Sequence, residues 1–367
     1  IDAGTRSIYP FIPQISAGLG LTVFGFSWLI FARSMVGITA PLFGVLGDKY
    51  GQRKVMALGL VSQSIGAAGM VFTPHWWAAI PITLFGLGTA AFVPTQQAYI
   101  SNQVSYEKRG RAITSVEISF ALTGVITLPI IGWMIDQYGW ESPFLILGIL
   151  GLIAALITWF YLPASSHEVA AQAEATPQLG PRDLIGRPNA IASMGVSLLL
   201  FFAFSNFITI WGVWLTEDFG FSASDNGLVA TRIGLAELVG AALSGLFIDR
   251  IGKRLGSIIG FLLIIAGFIG LPIMQPWLGG ALAAVILLGG AAEYTIVSLL
   301  PLYSDQVPEA RATVFAFVGF GSSIGLAVGS PVAASLWERT GNIWVICAIG
   351  AVSTALALLL LIRYLHE

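Results

Sequence analysis

The eleven residues Gly44 to Lys54 read GVLGDKYGQRK, and the eleven from Gly245 to Leu255 read GLFIDRIGKRL. Glycine, acid, base, glycine and arginine recur in one order: Gly44, Asp48, Lys49, Gly51 and Arg53, then Gly245, Asp249, Arg250, Gly252 and Arg254. Each matched pair is 201 residues apart. Both copies sit between long apolar stretches. One charged loop used twice, half a chain apart, marks a bundle of membrane helices built by duplication.

Composition bounds the class in the same direction. The chain is 56% hydrophobic and 10% charged, against roughly 25% charged for a soluble domain. A mean hydropathy of +0.85 over 367 residues excludes a soluble core. A spanning helix needs about 20 apolar residues, and the chain offers about twelve such stretches. Its single cysteine, Cys347, excludes an internal disulfide. The basic residues are scattered in small loop clusters rather than gathered in a patch, so nothing points to nucleic acid.

The expected spans are a first helix up to about Pro13, then helices near 22–47, 55–72, 77–103, 111–136 and 142–162. A second set follows near 188–215, 223–249, 255–273, 277–304, 311–337 and 342–363. Because Ile1 to Pro13 already reads as helix, part of that helix and a short tail are expected to precede Ile1. The stretch 163–187 lacks an apolar run and is expected to link an N-terminal bundle, 1–162, to a C-terminal one, 188–367. The fold class is therefore all-α and polytopic, with twelve transmembrane helices in two pseudo-symmetric six-helix bundles.

Loops after the second, fourth, sixth, eighth and tenth helices hold Lys49, Arg53, Lys54, Lys108, Arg109, Arg111, Arg182, Arg187, Arg250, Lys253, Arg254 and Arg311. The opposite loops hold only Arg339, beside Asp136, Glu141, Glu217, Asp218 and Asp225. By the positive-inside rule the first set, the linker and both termini are cytoplasmic, and the protein is integral to the inner membrane. The halves match further. Ser101-Asn102-Gln103-Val104 answers Ser304-Asp305-Gln306-Val307, Arg111-Ala112 answers Arg311-Ala312, and the turn 18–22 answers 218–222.

The doubled loop resembles the signature loop of the major facilitator superfamily of secondary transporters. The resemblance implies alternating access, and a latch in which Asp48 and Asp249 hold the halves together in the outward-facing state. In that latch Gly44 and Gly245 would permit close helix approach, and Arg53 and Lys54, or Lys253 and Arg254, would neutralise the acids across tight turns. A cytoplasmic charge cluster that only fixes topology is the plainer alternative. In such proteins the first, fourth, seventh and tenth helices line the cavity. The polar residues there are Asp2, Arg6, Thr95, Gln96, Gln97, Ser205, Asn206, Glu293 and Tyr294.

Glu293 lies mid-helix among apolar neighbours, and an ionisable group at membrane depth is a functional candidate by default. It is expected to carry a proton or contact substrate, against a plain structural contact. Asp2 and Arg6, four apart on a helix, are expected to neutralise each other, with Arg6 as a rival anion holder. Arg33 has no acid near it in sequence and must snorkel, pair across helices (Glu117 or Glu293 among the choices) or face water, and Arg232 and Glu237 raise the same question. Trp211 is kept as a cavity residue. Trp76, Trp77, Trp140, Trp277, Trp337 and Trp344 read as interfacial belt residues.

Gly124, Pro129 and Gly132 form a degenerate version of the glycine–proline motif on the fifth helix of drug–proton antiporters. Trp133 replaces its second glycine, and the arginine which that group carries on the fourth helix is missing. Gly321, Gly325, Gly329 and Pro331 form a similar run on the eleventh. No Walker loop or metal-ligand cluster is visible in the sequence, and neither cofactor nor metal is expected. An enzyme is not expected. The expected activity is proton-coupled efflux of a small lipophilic or amphipathic compound. The alternatives are a uniporter or importer of an organic anion, and a non-transporting subunit of a larger membrane complex.

Overall fold

The computed structural model describes residues 2–103, 122–163, 184 and 186–366, and these are almost entirely helical. The first helix, α1, comes in three pieces, Asp2–Arg6, Tyr9–Phe11 and Ile12–Gly18. Then come α2 (Val23–Val36 and Ala40–Tyr50, joined by a 3-10 turn at Gly37–Thr39), α3 (Gln52–Phe72) and α4 (Ala79–Gln103). The described part of α5 is a π turn, Thr123–Thr127, running into Leu128–Tyr138, and α6 is Glu141–Tyr161. The second six are α7 (Pro188–Phe219), α8 (Ala223–Ile251), α9 (Lys253–Met274), α10 (Leu278–Gln306), α11 (Arg311–Thr340) and α12 (Ile343–Tyr364). Ten of these are long and apolar enough to cross a membrane.

The first helix departs from expectation. It does not stop at Pro13 but restarts there and runs to Gly18. Pro10 and Pro13 are the second residues of new helical segments, within the first turn, where a missing N–H costs no intrahelical bond. Val104, Lys108, Arg109, Arg111, Ala112, Glu117 and Arg182 lie outside the described residues, as does most of the expected linker.

The duplication is visible in the joints. Six glycines among the described residues have a positive φ, and they pair as Gly20 with Gly220, Gly51 with Gly252, and Gly139 with Gly341. Thr22 caps α2 by accepting from the Gly25 N–H, and Ser222 caps α8 by accepting from Asp225. Arg53 at the start of α3 donates to the Leu162 carbonyl at the end of α6 (3.1 Å). Arg254 at the start of α9 does the same to Ile362 of α12 (2.6 Å). Each arginine ties a helix start to a carbonyl at another helix's negative end.

Between the halves, α5 packs on α8, α2 on α11, and α1 on α7. Small residues set the first contact. A β-carbon on Gly132 would lie 2.4 Å from the Ala223 carbonyl oxygen, and one on Gly227 would lie 2.8 Å from that of Leu128. Gly321, Gly325 and Gly329 do the same for α11 against α7, within one half. Trp337 corrects the expected belt. It is 3% exposed and donates its indole N–H to Glu217 (2.8 Å), so it seals the packing of α11 on α7 rather than facing lipid.

Candidate substrate site and gates

A cavity of about 260 Å³ lies on the boundary between the halves. Phe201, Phe204 and Phe207 of α7, with Ile233 and Ile296, make most of its wall apolar. Trp211 of α7 lines it, as do Thr5, Arg6 and Tyr9 of α1, Glu237 of α8 and Glu293 of α10. The spacing of Thr5, Arg6 and Tyr9 puts them on one face of the broken first helix.

Arg6 crosses the boundary to donate to Glu237 at 2.8 Å, the two side chains being 19% and 15% exposed. This corrects the expected pairing of Arg6 with Asp2. Glycine clears the way for the guanidinium: a β-carbon on Gly124 would sit 2.9 Å from Arg6 Nη1 and 3.6 Å from the Gly234 Cα. The degenerate motif on α5 thus makes room for a cation as well as for α8. Glu237 then serves the cavity and not Arg232, which lies on the opposite side of α8.

Among the described residues Arg33 takes Tyr9 and not Glu293 as its hydrogen-bond partner, and Glu117 lies outside them. It is 9% exposed, donates to the Tyr9 hydroxyl at 3.0 Å and stands 5.6 Å from that ring. Its carbonyl and side chain fill the space beside Gly86 of α4. Arg33 therefore reaches the cavity only through Tyr9, a cation–π contact that shares its charge with the phenol.

Several expected residues lie elsewhere. Asn206 is fully buried in α7 and donates to the Phe202 carbonyl at 2.7 Å. Ser205 donates to Leu326 of α11. Gln96 is half-buried and Gln97 exposed on α4, close in sequence to Thr95, which packs on Gly47 at the loop end. Tyr294 points away from the cavity into a separate groove. The sequence reading missed Thr5 and Tyr9 and gave Glu237 no place in the cavity. The first two share a helical face with Arg6, a signal that was there to read. Glu237 lies on α8, outside the four helices the resemblance singled out.

The two ends of the cavity differ. At the end away from the doubled loops, Asp136 of α5 accepts from the N–H groups of Ala223 (3.1 Å) and Ser224 (2.8 Å) at the start of α8. A carboxylate at a helix N-terminus meets unsatisfied donors and the positive end of the dipole. Buried Asn226 donates to the Pro10 carbonyl (3.2 Å), and Phe24 N–H donates to Glu338 (2.8 Å). All of these contacts join one half to the other.

At the doubled loops the glycines make no contact between the halves among the described residues. Among the described residues a β-carbon on Gly44 or Gly245 would meet nothing within 4 Å, so the expected close approach is not made there. Asp48 and Asp249 are exposed, as are Lys49 and Arg250. Among the described residues Asp48 accepts from the Gln52 amide alone (3.2 Å). Arg53 and Arg254 bond helix-end carbonyls, and Lys253 pairs with Asp305 (2.5 Å). The expected neutralisation of Asp48 and Asp249 by these bases is thereby corrected: the carbonyls of α6 and α12 lie nearer and need a donor. Gly51 and Gly252, at φ 100° and 88°, make the turns.

The sequence profile of the Major Facilitator Superfamily matches residues 1–199 and 193–367. A multi-drug resistance efflux pump PmrA homolog of Lactococcus lactis is 25% identical, the alignment covering 90% of this chain and 83% of that protein. The multidrug resistance protein MdtG of Salmonella typhimurium is also 25% identical, over 94% of this chain and 88% of its own. Among solved structures, a D-xylose-proton symporter superposes with a TM-score of 0.75 at 16% identity, covering 100% of this chain and 94% of that one. A bacterial homolog of the human lysosomal transporter Spinster, in an inward-facing and occupied conformation, gives 0.69 at 16%, covering 98% and 92%. The two structures carry the likeness of fold alone.

Proposed function

Because the chain belongs to the major facilitator superfamily, an integral membrane secondary transporter of small molecules, we propose that it exports lipophilic or amphipathic compounds in exchange for protons. The observation that carries this reading is the Arg6–Glu237 pair beside Glu293 on the wall of an otherwise aromatic cavity between the halves. Aromatic walls suit a partly apolar compound. The multidrug names of the relatives point the same way.

Protonation of Glu237 or Glu293 removes one negative charge from a site with a fixed positive one. When the proton goes to Glu237, Arg6 loses its counter-ion, and the balance across the boundary changes. Substrate binding and proton loading compete for the same carboxylates. In this reading the doubled loops face the cytoplasm, as their positive charge requires, and the conformation with Asp136 capping α8 is inward-facing. Asp48 and Asp249, with Gly44 and Gly245, close that cytoplasmic end in the opposite state. The halves divide at the linker, 163–187. Uptake of an organic anion is the weaker alternative, since Arg6 already faces a carboxylate.

Proteoliposomes holding a pH gradient test this. A lipophilic cation, an organic anion and a sugar are added in turn to wild type, Glu237→Gln and Glu293→Gln. Proton flux triggered by the lipophilic cation and lost in the variants supports the proposal. Substrate flux that ignores the gradient, with both variants unaffected, overturns proton coupling.

A further inference from the structure

A second and larger hollow, about 880 Å³, lies on the other side of the wall that carries the two carboxylates. It runs between α8 and α9 over α10. Consecutive residues face opposite ways: Arg232, Ala236, Gly290 and Tyr294 line this groove, while Ile233, Glu237, Gly289 and Glu293 line the cavity.

The groove is apolar along its length, with Leu235, Val239, Leu243 and Leu263 exposed on its flanks. Its α9 flank leaves open space at Gly270, where a β-carbon would meet nothing within 4 Å among the described residues. From Arg232 to Ile251 it follows α8 for about 28 Å at 1.5 Å per residue, close to the roughly 30 Å of bilayer hydrocarbon. Among the described residues Arg232 is its one charged residue. It sits about 14 Å along α8 from Ala223, near enough to one membrane face for its head to snorkel there.

We propose that the groove holds an acyl chain of an anionic phospholipid drawn from the surrounding bilayer, with the headgroup phosphate on Arg232. Among the described residues no carboxylate forms an ion pair with Arg232, and an uncompensated arginine in hydrocarbon is costly. A phosphate supplies two parallel acceptors that match the guanidinium fork. A second copy of this apolar face would leave the arginine against leucine. The lipid fits the charge at one end and the half of the trough next to it, one leaflet being roughly 15 Å of hydrocarbon.

The test uses the full chain, solubilised and stripped of lipid, then titrated with mixed micelles of phosphatidylglycerol or phosphatidylcholine and read by native mass spectrometry. Wild type is expected to retain one phosphatidylglycerol about tenfold more tightly than phosphatidylcholine, as one charge-assisted contact allows. Arg232→Gln should abolish that preference. Gly270→Leu, which fills open space, should weaken retention of both lipids with helicity unchanged. Equal retention of the two lipids by wild type, or phosphatidylglycerol binding unaltered in both variants, overturns the proposal. A wild-type dimer that Gly270→Leu converts to monomer overturns it too, by assigning the groove to a second copy.

Discussion

Arg6 and Glu237 stand 231 residues apart in the chain and 2.8 Å apart in space, one on each half of the protein. Their contact is therefore part of the boundary that must rearrange when access alternates. Glu237→Gln leaves Arg6 facing a neutral amide. We expect substrate-driven proton movement to fall at least about tenfold, and the melting temperature to drop with a cost of roughly 1–3 kcal/mol for the stranded charge. Arg6→Gln combined with Glu237→Gln should recover much of the melting temperature but none of the proton movement. Recovery of both would reduce the pair to a strut.

Gly124 clears the path of the Arg6 guanidinium. Gly124→Ala should push that side chain aside at little cost to folding, because its far end is flexible. The pH dependence of transport is expected to shift while thermal stability stays within about 0.5 kcal/mol, the range of changes outside packed sites. A large loss of stability with an unchanged pH profile would assign the glycine to helix packing alone.

Asp136 caps α8 from the other half. Loss of such a cap costs about 1 kcal/mol, which is roughly a fivefold change in a two-state population. Asp136→Ala should therefore lengthen the distance between spin labels at Tyr138 and Trp277 in a larger fraction of molecules. An unchanged distance distribution would show that the other contacts at this end suffice.

The doubled-loop acids make no ion pair in this conformation among the described residues. Asp48→Asn and Asp249→Asn are thus expected to leave the melting temperature of the conformer described here unaltered and to slow transport by depleting the opposite one. Thermal unfolding in detergent, alongside transport in vesicles, separates the two effects. Marked destabilisation with normal transport would remove the latch role.

The architecture was legible because membrane folding leaves few options. Apolar stretches must be helices, and a loop repeated at a fixed interval reports the duplication in any register. Even the joints followed, since Gly20 and Gly220 sit in turns matched from sequence alone. The site was less legible. Arg6 has an acid four residues away and prefers one on the far half, because the helix break and the gap at Gly124 aim it there. Tyr294 stands beside Glu293 in the chain but on the other side of α10, since neighbouring helical positions differ by about 100° in direction. The fates of Arg53 and Arg254 depended on how near the ends of α6 and α12 come, a distance that no local pattern encodes.

The first helix is jointed at Pro10 and Pro13, whereas its counterpart α7 is one unbroken rod of 32 residues. Gly212 of that rod rests against the carbonyl of Pro10, at one of the joints. The halves are thus alike in their turns and unlike in compliance. When the boundary moves, bending is expected to concentrate in α1, with α7 the stiffer support. A scaffold made by copying has become a lever with one supple arm, so mirrored substitutions in α1 and α7 should not have mirrored effects.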